Sequence, residues 1–339
     1  MKQKLDKHFN LVMAILVVLL VLLCFVVIQI GQYGVTPSQV LSALLPAFFN
    51  DPSATEATNT VITNIRLPRI LLAILAGAGL GVSGAAFQGL FSNPLATPDT
   101  LGVAAGASFG ATLGILLSFT GLGIQMMAFL MGIVAVGIVF MMGNNRENTS
   151  MITIILSGLV VGALFQAFVG LVKYTADPFE QLPTITFWLM GSFAGASFDK
   201  LVYGAPLVIA GVTLLWLLRW KINILTLPPD EAKALGVSLF KIRLLVIVGS
   251  TIITGATISM CGIVGWVGLL VPHLARMLFG SNNKFVIPAS IIIGAIFMVL
   301  IDTIARSLTQ SEIPISILTA IVGAPMFIVL LRKTGGIKE

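Results

Sequence analysis

Charged side chains are scarce in this sequence. Asp, Glu, Lys and Arg make up 9% of its 339 residues, whereas soluble domains carry about 25%. Hydrophobic residues make up 57%, and no polar stretch leaves room for a separate soluble domain. This composition excludes an ordinary soluble enzyme and indicates a protein that lies in a membrane.

Motifs for chemistry are also missing. The sequence has no G-x-x-x-x-G-K-[ST] phosphate loop, no H-E-x-x-H, no catalytic triad signature and no Cys/His cluster. We therefore predict no ATP hydrolysis, no catalytic residues and no metal site in this chain. Its two cysteines, Cys24 and Cys261, lie in apolar runs, which is typical of small buried hydrophobic side chains rather than of a disulfide or a ligand.

Ionisable residues are nearly absent from the apolar runs. Asp302 is the clear exception, and it lies four residues before Arg306, a spacing that predicts an ion pair on one helix. A proton- or sodium-coupled carrier usually keeps ionisable relays in its spans. The pattern favours a transporter driven by another subunit, with an ion-coupled secondary carrier as the alternative and an intramembrane enzyme disfavoured.

Long apolar runs dominate the sequence. Crossing about 30 Å of hydrocarbon takes a helix of about 20 residues, and such runs repeat almost from end to end. The first run is too long for a signal peptide and is expected to be retained. We predict an all-α integral membrane protein, one transmembrane permease domain over residues 1–339, with ten spans at about 11–30, 66–90, 100–118, 122–142, 150–173, 200–219, 243–262, 264–280, 285–306 and 314–332.

The distribution of Lys and Arg predicts the orientation. With the N-terminus inside, 14 of these residues fall on the inside and 5 on the outside, so both termini are expected in the cytoplasm. The net charge of +6 has the same explanation and does not indicate a nucleic-acid partner. Spans 2–5 and spans 7–10 form two blocks of four. The first span of one block runs inward and the first span of the other runs outward, which predicts inverted repeats.

Three arginines are predicted on the outer side, where basic residues are disfavoured. Arg66 and Arg69 flank the start of span 2, and Arg306 ends span 9. Together they predict a cationic surface suited to the carboxylates of a partner protein. Anchoring to lipid headgroups is the alternative.

A polar loop at residues 220–242 is predicted on the cytoplasmic side. Within this loop, residues 227–237 have proline and acidic residues at their start and Gly236 near their end, which predicts a short capped helix with Gly236 left-handed. Its apolar side chains would need a protein groove, which indicates coupling to an ATPase, although a simple connecting loop is the alternative. The candidate contact residues are Pro229, Asp230, Glu231, Ala232, Ala234, Leu235, Gly236 and Val237.

Five segments together carry a resemblance to a known family. They are RLPR at 66–69, the 84–102 segment with its NPLA, EAKALGV at 231–237, GIVGWVGLLVPHLAR at 262–276 and EIPISILTAIVGAPMFIVLL at 312–331. In this order they resemble the permease subunits of ABC importers for iron–siderophore complexes, haem and vitamin B12. The resemblance spans residues 60–333, and the chain departs from the family's ELP-x-G pattern by having Ser316.

The resemblance implies an assembly in a bacterial or archaeal cytoplasmic (inner) membrane. The permease works as a homodimer, or as a heterodimer with a paralogue, and with two cytoplasmic ATPase subunits and an external binding protein. ATP and Mg²⁺ belong to the ATPases, and this chain holds no cofactor.

The resemblance also assigns residues and a cargo. Arg66, Arg69 and Arg306 match arginines that meet the binding protein, and residues 229–240 match the coupling helices. The expected cargo is a ferric siderophore, with haem or vitamin B12 as alternatives. No residue of the substrate path can be named.

Overall fold

The structure, a computed structural model, describes residues 2–143, 151–227, 231 and 236–333. Within these ranges the regular structure is helical, without strands, which confirms the all-α prediction. The helices are α1 (Lys2–Val27), α2 (Pro37–Leu44), α3 (Glu56–Thr60), α4 (Leu67–Phe91), α5 (Val103–Leu116), α6 (Leu122–Gly143), α7 (Met151–Thr175), α8 (Gln181–Leu189), α9 (Phe198–Ile222), α10 (Leu239–Cys261), α11 (Val267–Phe279), α12 (Asn283–Ser307) and α13 (Ile315–Lys333).

Seven helical segments in the described part of the chain are long and apolar enough to cross a membrane. They contain α1, α4, α6, α7, α9, α10 and α12, and α5, α11 and α13 are shorter apolar helices. Each of the ten predicted spans overlaps one of these helices. The number of crossings and the inverted relation between the two blocks stay predictions.

Helix α4 is the centre of the bundle. Twenty of its 25 residues are buried, and it packs against α9, α10, α11 and α12. Its sequence explains this position, since small residues recur along it and allow neighbouring backbones to approach. In helix α1, by contrast, 6% of the residues in the most apolar stretch are buried. This helix therefore presents most of its surface to lipid.

Glycines bring two helices into backbone contact with α4. A Cβ on Gly77 would lie 2.0 Å from the carbonyl oxygen of Gly294 in α12. A Cβ on Gly84 would lie 2.0 Å from the carbonyl oxygen of Gly268 in α11. Neither position has room for a side chain, so these four glycines determine how closely α11 and α12 pack on α4.

The unusual Ser316 has a structural partner. Its hydroxyl donates a hydrogen bond to the carbonyl oxygen of Ile263, at 2.6 Å. Next to it, the backbone amide of Ile315 donates to the carbonyl oxygen of Gly191, at 3.0 Å. The start of α13 is thereby tied to the segments that follow α8 and α10. The serine strengthens this junction and does not disturb the helix.

Candidate functional site

The start of α4 positions two of the predicted site residues. A π-helical turn, Val61–Arg66, leads directly into α4, and Pro68 lies in the first turn of the helix. Proline is tolerated there because the amide it lacks would have no intrahelical partner. This geometry turns both Arg66 and Arg69 into the protein, where they are 5% and 6% exposed.

Arg66 caps the C-terminal end of α1. Its guanidinium donates hydrogen bonds to the carbonyl oxygens of Ile28, Gln29 and Tyr33, at 2.8, 3.3 and 2.5 Å. These carbonyls follow the last turn of α1, where backbone acceptors lack intrahelical partners and the helix dipole is negative. A cation there stabilises the helix end and holds the following loop against α4.

Arg69 and Arg306 share one carboxylate. Arg69 Nε lies 2.8 Å from Asp302 Oδ1, and its Nη1 lies 2.5 Å from Glu312 Oε1. Arg306 Nε lies 3.8 Å from Asp302 Oδ2, which confirms the pair predicted from the four-residue spacing. Arg306 also donates to the carbonyl oxygen of Val27 at 2.6 Å. We call Arg66, Arg69, Asp302, Arg306 and Glu312 the arginine cluster.

The three arginines of the predicted cationic surface are not exposed, and their docking role stays a prediction. All three arginines are buried, because two internal carboxylates and the carbonyls after α1 draw their guanidinium groups inward. Glu312 is the most accessible carboxylate, with its side chain 34% exposed against 1% for Asp302. The cluster has three cations and two anions, so one positive charge is in excess.

A cavity opens beside the arginine cluster. It measures about 360 Å³ and is lined by Arg66, Arg69, Arg306 and Glu312 together with Gln32 and Tyr33 from the loop after α1. A partner's side chain could therefore reach the cluster from outside. Apart from its place in the 312–331 motif, no sequence signal indicated that Glu312 belongs to this site.

The opposite end of α4 holds a second polar group. Gln88 accepts a hydrogen bond from Arg276 in α11 and donates one to the carbonyl oxygen of Gly268, at 3.1 Å. Beside them lies a cavity of about 320 Å³, which Asn93 and Asn283 also line. Sequence reasoning counted Arg276 among the basic residues of the inside and missed its contact with α4. A glutamine inside an apolar run was the available signal.

The predicted coupling loop is only partly within the described residues. Glu231 is helical and Gly236 has φ +68°, so the left-handed conformation predicted for Gly236 is confirmed. Val237 packs against the chain's own core, and part of its surface is therefore already covered. Pro229, Asp230, Ala232, Ala234 and Leu235 lie outside the described residues. The coupling role of the loop stays a prediction.

No candidate metal site accompanies these polar groups. In the described ranges, no three residues among His, Cys, Asp and Glu lie together in a way that could hold a metal ion. The candidate sites are therefore ionic and hydrogen-bonding in character.

The sequence model of the FecCD transport family matches residues 18–333. The chain belongs to this family. FecCD proteins are ABC transporter permeases, which lack an ATPase site of their own and work with a separate ATPase. The resemblance stated from the sequence motifs is thus confirmed, and the protein is a multi-pass membrane protein.

Individual relatives align along nearly the whole FecCD chain. The molybdate import system permease protein MolB of Haemophilus influenzae is 41% identical over 329 residues, which cover 96% of each chain. The Fe(3+)-citrate import system permease protein YfmE of Bacillus subtilis is 33% identical over 332 residues, again 96% of each chain. A solved ABC transporter of metal-chelate type, in an inward-facing conformation, is 39% identical with a TM-score of 0.86 and covers 96% of this chain and 99% of that one.

Proposed function

We propose that this chain is the membrane-spanning permease of an ATP-driven importer for a metal complex. The observation that carries the proposal is the full-length likeness to the metal-chelate type transporter, with its TM-score of 0.86. The lack of a phosphate-loop motif agrees with hydrolysis on a partner. In the proposed assembly, two permease copies meet two ATPase subunits, which bind ATP and Mg²⁺, and one external binding protein.

Molybdate is the first cargo to test, and a ferric siderophore is the second. Identity to the molybdate permease is 41%, against 33% for the ferric-citrate permease, at equal coverage. The siderophore candidate rests on the motifs of the 60–333 region. Haem and vitamin B12 complete the set of metal complexes to compare.

Uptake by proteoliposomes tests the transport proposal. The vesicles would contain the permease with its ATPase and, outside, the binding protein identified by co-purification. We expect uptake of one metal complex that needs internal ATP and survives a proton uncoupler. Uptake that a proton uncoupler abolishes, without a need for ATP, would instead support the secondary carrier.

Docking of the binding protein is proposed at the arginine cluster. Because Glu312 already forms an ion pair with Arg69, we propose that a carboxylate of the binding protein replaces Glu312 as the partner of this guanidinium. The cavity beside the cluster and the single excess positive charge support this exchange, since complementary charge orients an encounter and accelerates it. On this proposal Glu312 weakens docking, although it is part of the site.

The variant Glu312→Gln tests the exchange. We expect the binding protein to dock more tightly, by roughly threefold to tenfold, because Arg69 loses its internal competitor. Glu56→Gln is the matched control, since Glu56 is an exposed acid at the start of α3, and it should leave docking unchanged. Weaker docking of Glu312→Gln would show that Glu312 itself contacts the partner and would end the exchange proposal.

A further inference from the structure

An apolar groove runs along the outside of the bundle between α6 and α10. It measures about 330 Å³ and is lined by side chains that include Ile133 and Phe140 of α6 and Leu244, Val248 and Ile252 of α10. From Leu244 to Ile252 the groove is about 12 Å long at 1.5 Å per helical residue. Ile133 and Val248 are 40% and 41% exposed, so the groove is open to the surrounding bilayer.

Gly137 keeps the groove empty. It belongs to the lining, and a Cβ built on it would meet no atom within 4 Å. The space is therefore not needed for helix packing, unlike that beside Gly77. A glycine at this position leaves open space in the groove.

Arg243 lies on α10 just before the groove and is not one of its lining residues. It precedes Ile247, a lining residue, by one helical turn on the same face of α10, and long side chains on a helix lean toward its N-terminus. Its Nε is buried and has no hydrogen-bond partner among the described residues. Arg243 as a whole is partly exposed, so it brings positive charge to the surface beside this end of the groove.

We propose that the groove binds an anionic glycerophospholipid of the cytoplasmic leaflet. One acyl chain lies along the groove over Gly137, and the lipid phosphate accepts a hydrogen bond from Arg243, with the exposed Lys241 adding positive charge. Guanidinium groups bind phosphate with particular strength. The charge count across the loops predicts that this end of α10 lies at the cytoplasmic surface, where basic pockets between helices attract anionic lipids. The inference does not depend on the cargo.

Native mass spectrometry of the full-length chain tests the proposal. The protein, stripped of lipid in mild detergent, is titrated with dioleoyl phosphatidylglycerol and, separately, with dioleoyl phosphatidylcholine. We expect the anionic lipid to bind about tenfold more tightly. Glycerol phosphate at equal concentration should not displace it, because the acyl chain supplies part of the affinity. Equal binding of the two lipids, or displacement by glycerol phosphate, overturns the proposal.

Two variants separate the headgroup contact from the acyl contact. Arg243→Gln should bind both lipids equally, and Gly137→Leu should lose affinity for both, because its side chain fills the open space without a clash. The matched controls are Arg219→Gln, whose arginine stacks on Trp216 at 4.1 Å, and Val134→Leu, on an exposed position of α6. Both controls should bind as the unmodified chain does. Unchanged lipid binding by either Arg243→Gln or Gly137→Leu contradicts the site, and thermal unfolding in detergent verifies that each variant is folded.

Discussion

Asp302 lies between two guanidinium groups and is 1% exposed. The carboxylate accepts a hydrogen bond from Arg69 and faces Arg306 four residues along the same helix. Burying charges in this way carries a large desolvation penalty, which good geometry and additional hydrogen bonds must offset. The arrangement is therefore better understood as a way of fixing α12 and the loop after it against α4 than as a large net source of stability.

Removing this carboxylate leaves two buried cations without their shared partner. We predict that Asp302→Asn lowers the free energy of unfolding by about 3–5 kcal/mol, measured by thermal or denaturant unfolding of the full chain in detergent. Glu312→Gln acts on a more exposed carboxylate and should cost no more than about 1 kcal/mol. If the two substitutions destabilise equally, exposure does not govern the energetics of the arginine cluster.

The sequence predicted part of this site and could not predict the rest. The spacing of Asp302 and Arg306 is local, so helical geometry alone was enough to pair them. The partnership of Arg69 with Asp302 joins residues 233 positions apart, and nothing local encodes such a contact. Burial of the arginines was missed for a related reason, since the acceptors for Arg66 are backbone carbonyls and carry no sequence signature.

Helices α1 and α4 rank in opposite order by hydropathy and by burial. The most apolar stretch of α1 has a mean hydropathy of 3.2, and 6% of its residues are buried. The corresponding stretch in the segment that contains α4 has a mean hydropathy of 2.1, and 83% of its residues are buried. Lipid tails are as apolar as leucine, so a very apolar helix gains nothing by entering the bundle. The apolar runs therefore predicted where the helices lie, and small residues were the better guide to which helix is central.

The contact between Gly77 and Gly294 is one of the two closest backbone contacts of α4. We predict that Gly77→Ala forces α4 and α12 apart and lowers the yield of folded protein severalfold, since a Cβ would lie 2.0 Å from a backbone oxygen. Gly170→Ala is the control, because a Cβ there meets no atom within 4 Å and alanine favours helix by about 1 kcal/mol. Size-exclusion chromatography of both variants would measure the difference, and equal profiles would contradict close packing at Gly77.

At the level of the whole molecule, polar groups collect at the two ends of α4 and the lipid-facing surface lies between them. The arginine cluster lies at one end, and Gln88 with Arg276 lies at the other. An importer must recognise an external partner on one side and an ATPase on the other, so this distribution suits the proposed function. The coupling loop, with Gly236 at its end, follows α9 on the ATPase side of the predicted topology.

Gly236 tests whether this loop couples the permease to its ATPase. We predict that Gly236→Val weakens ATPase association in pull-down and lowers ATP-driven uptake, because the φ of +68° costs a β-branched residue about 1–2 kcal/mol. The membrane fold should persist, since no atom of the described residues lies within 4 Å of the added Cβ. Gly34→Val is the control, an equally uncrowded glycine outside the left-handed region. Normal assembly and uptake by Gly236→Val would reduce the loop to a connector.

The central position of α4 has a consequence for biosynthesis. The ribosome completes α4 at Phe91, but the last of its packing partners ends at Ser307, and the intervening 216 residues take roughly 10–40 s to synthesise at 5–20 residues per second. Until α12 is complete, the face of α4 that contains Gly77 has no helix to cover it, although α9, α10 and α11 are synthesised earlier. A nascent chain or truncated product that lacks α12 therefore exposes an unfinished interface inside the bilayer. Insertion factors could shield this interface, and membrane proteases could recognise it.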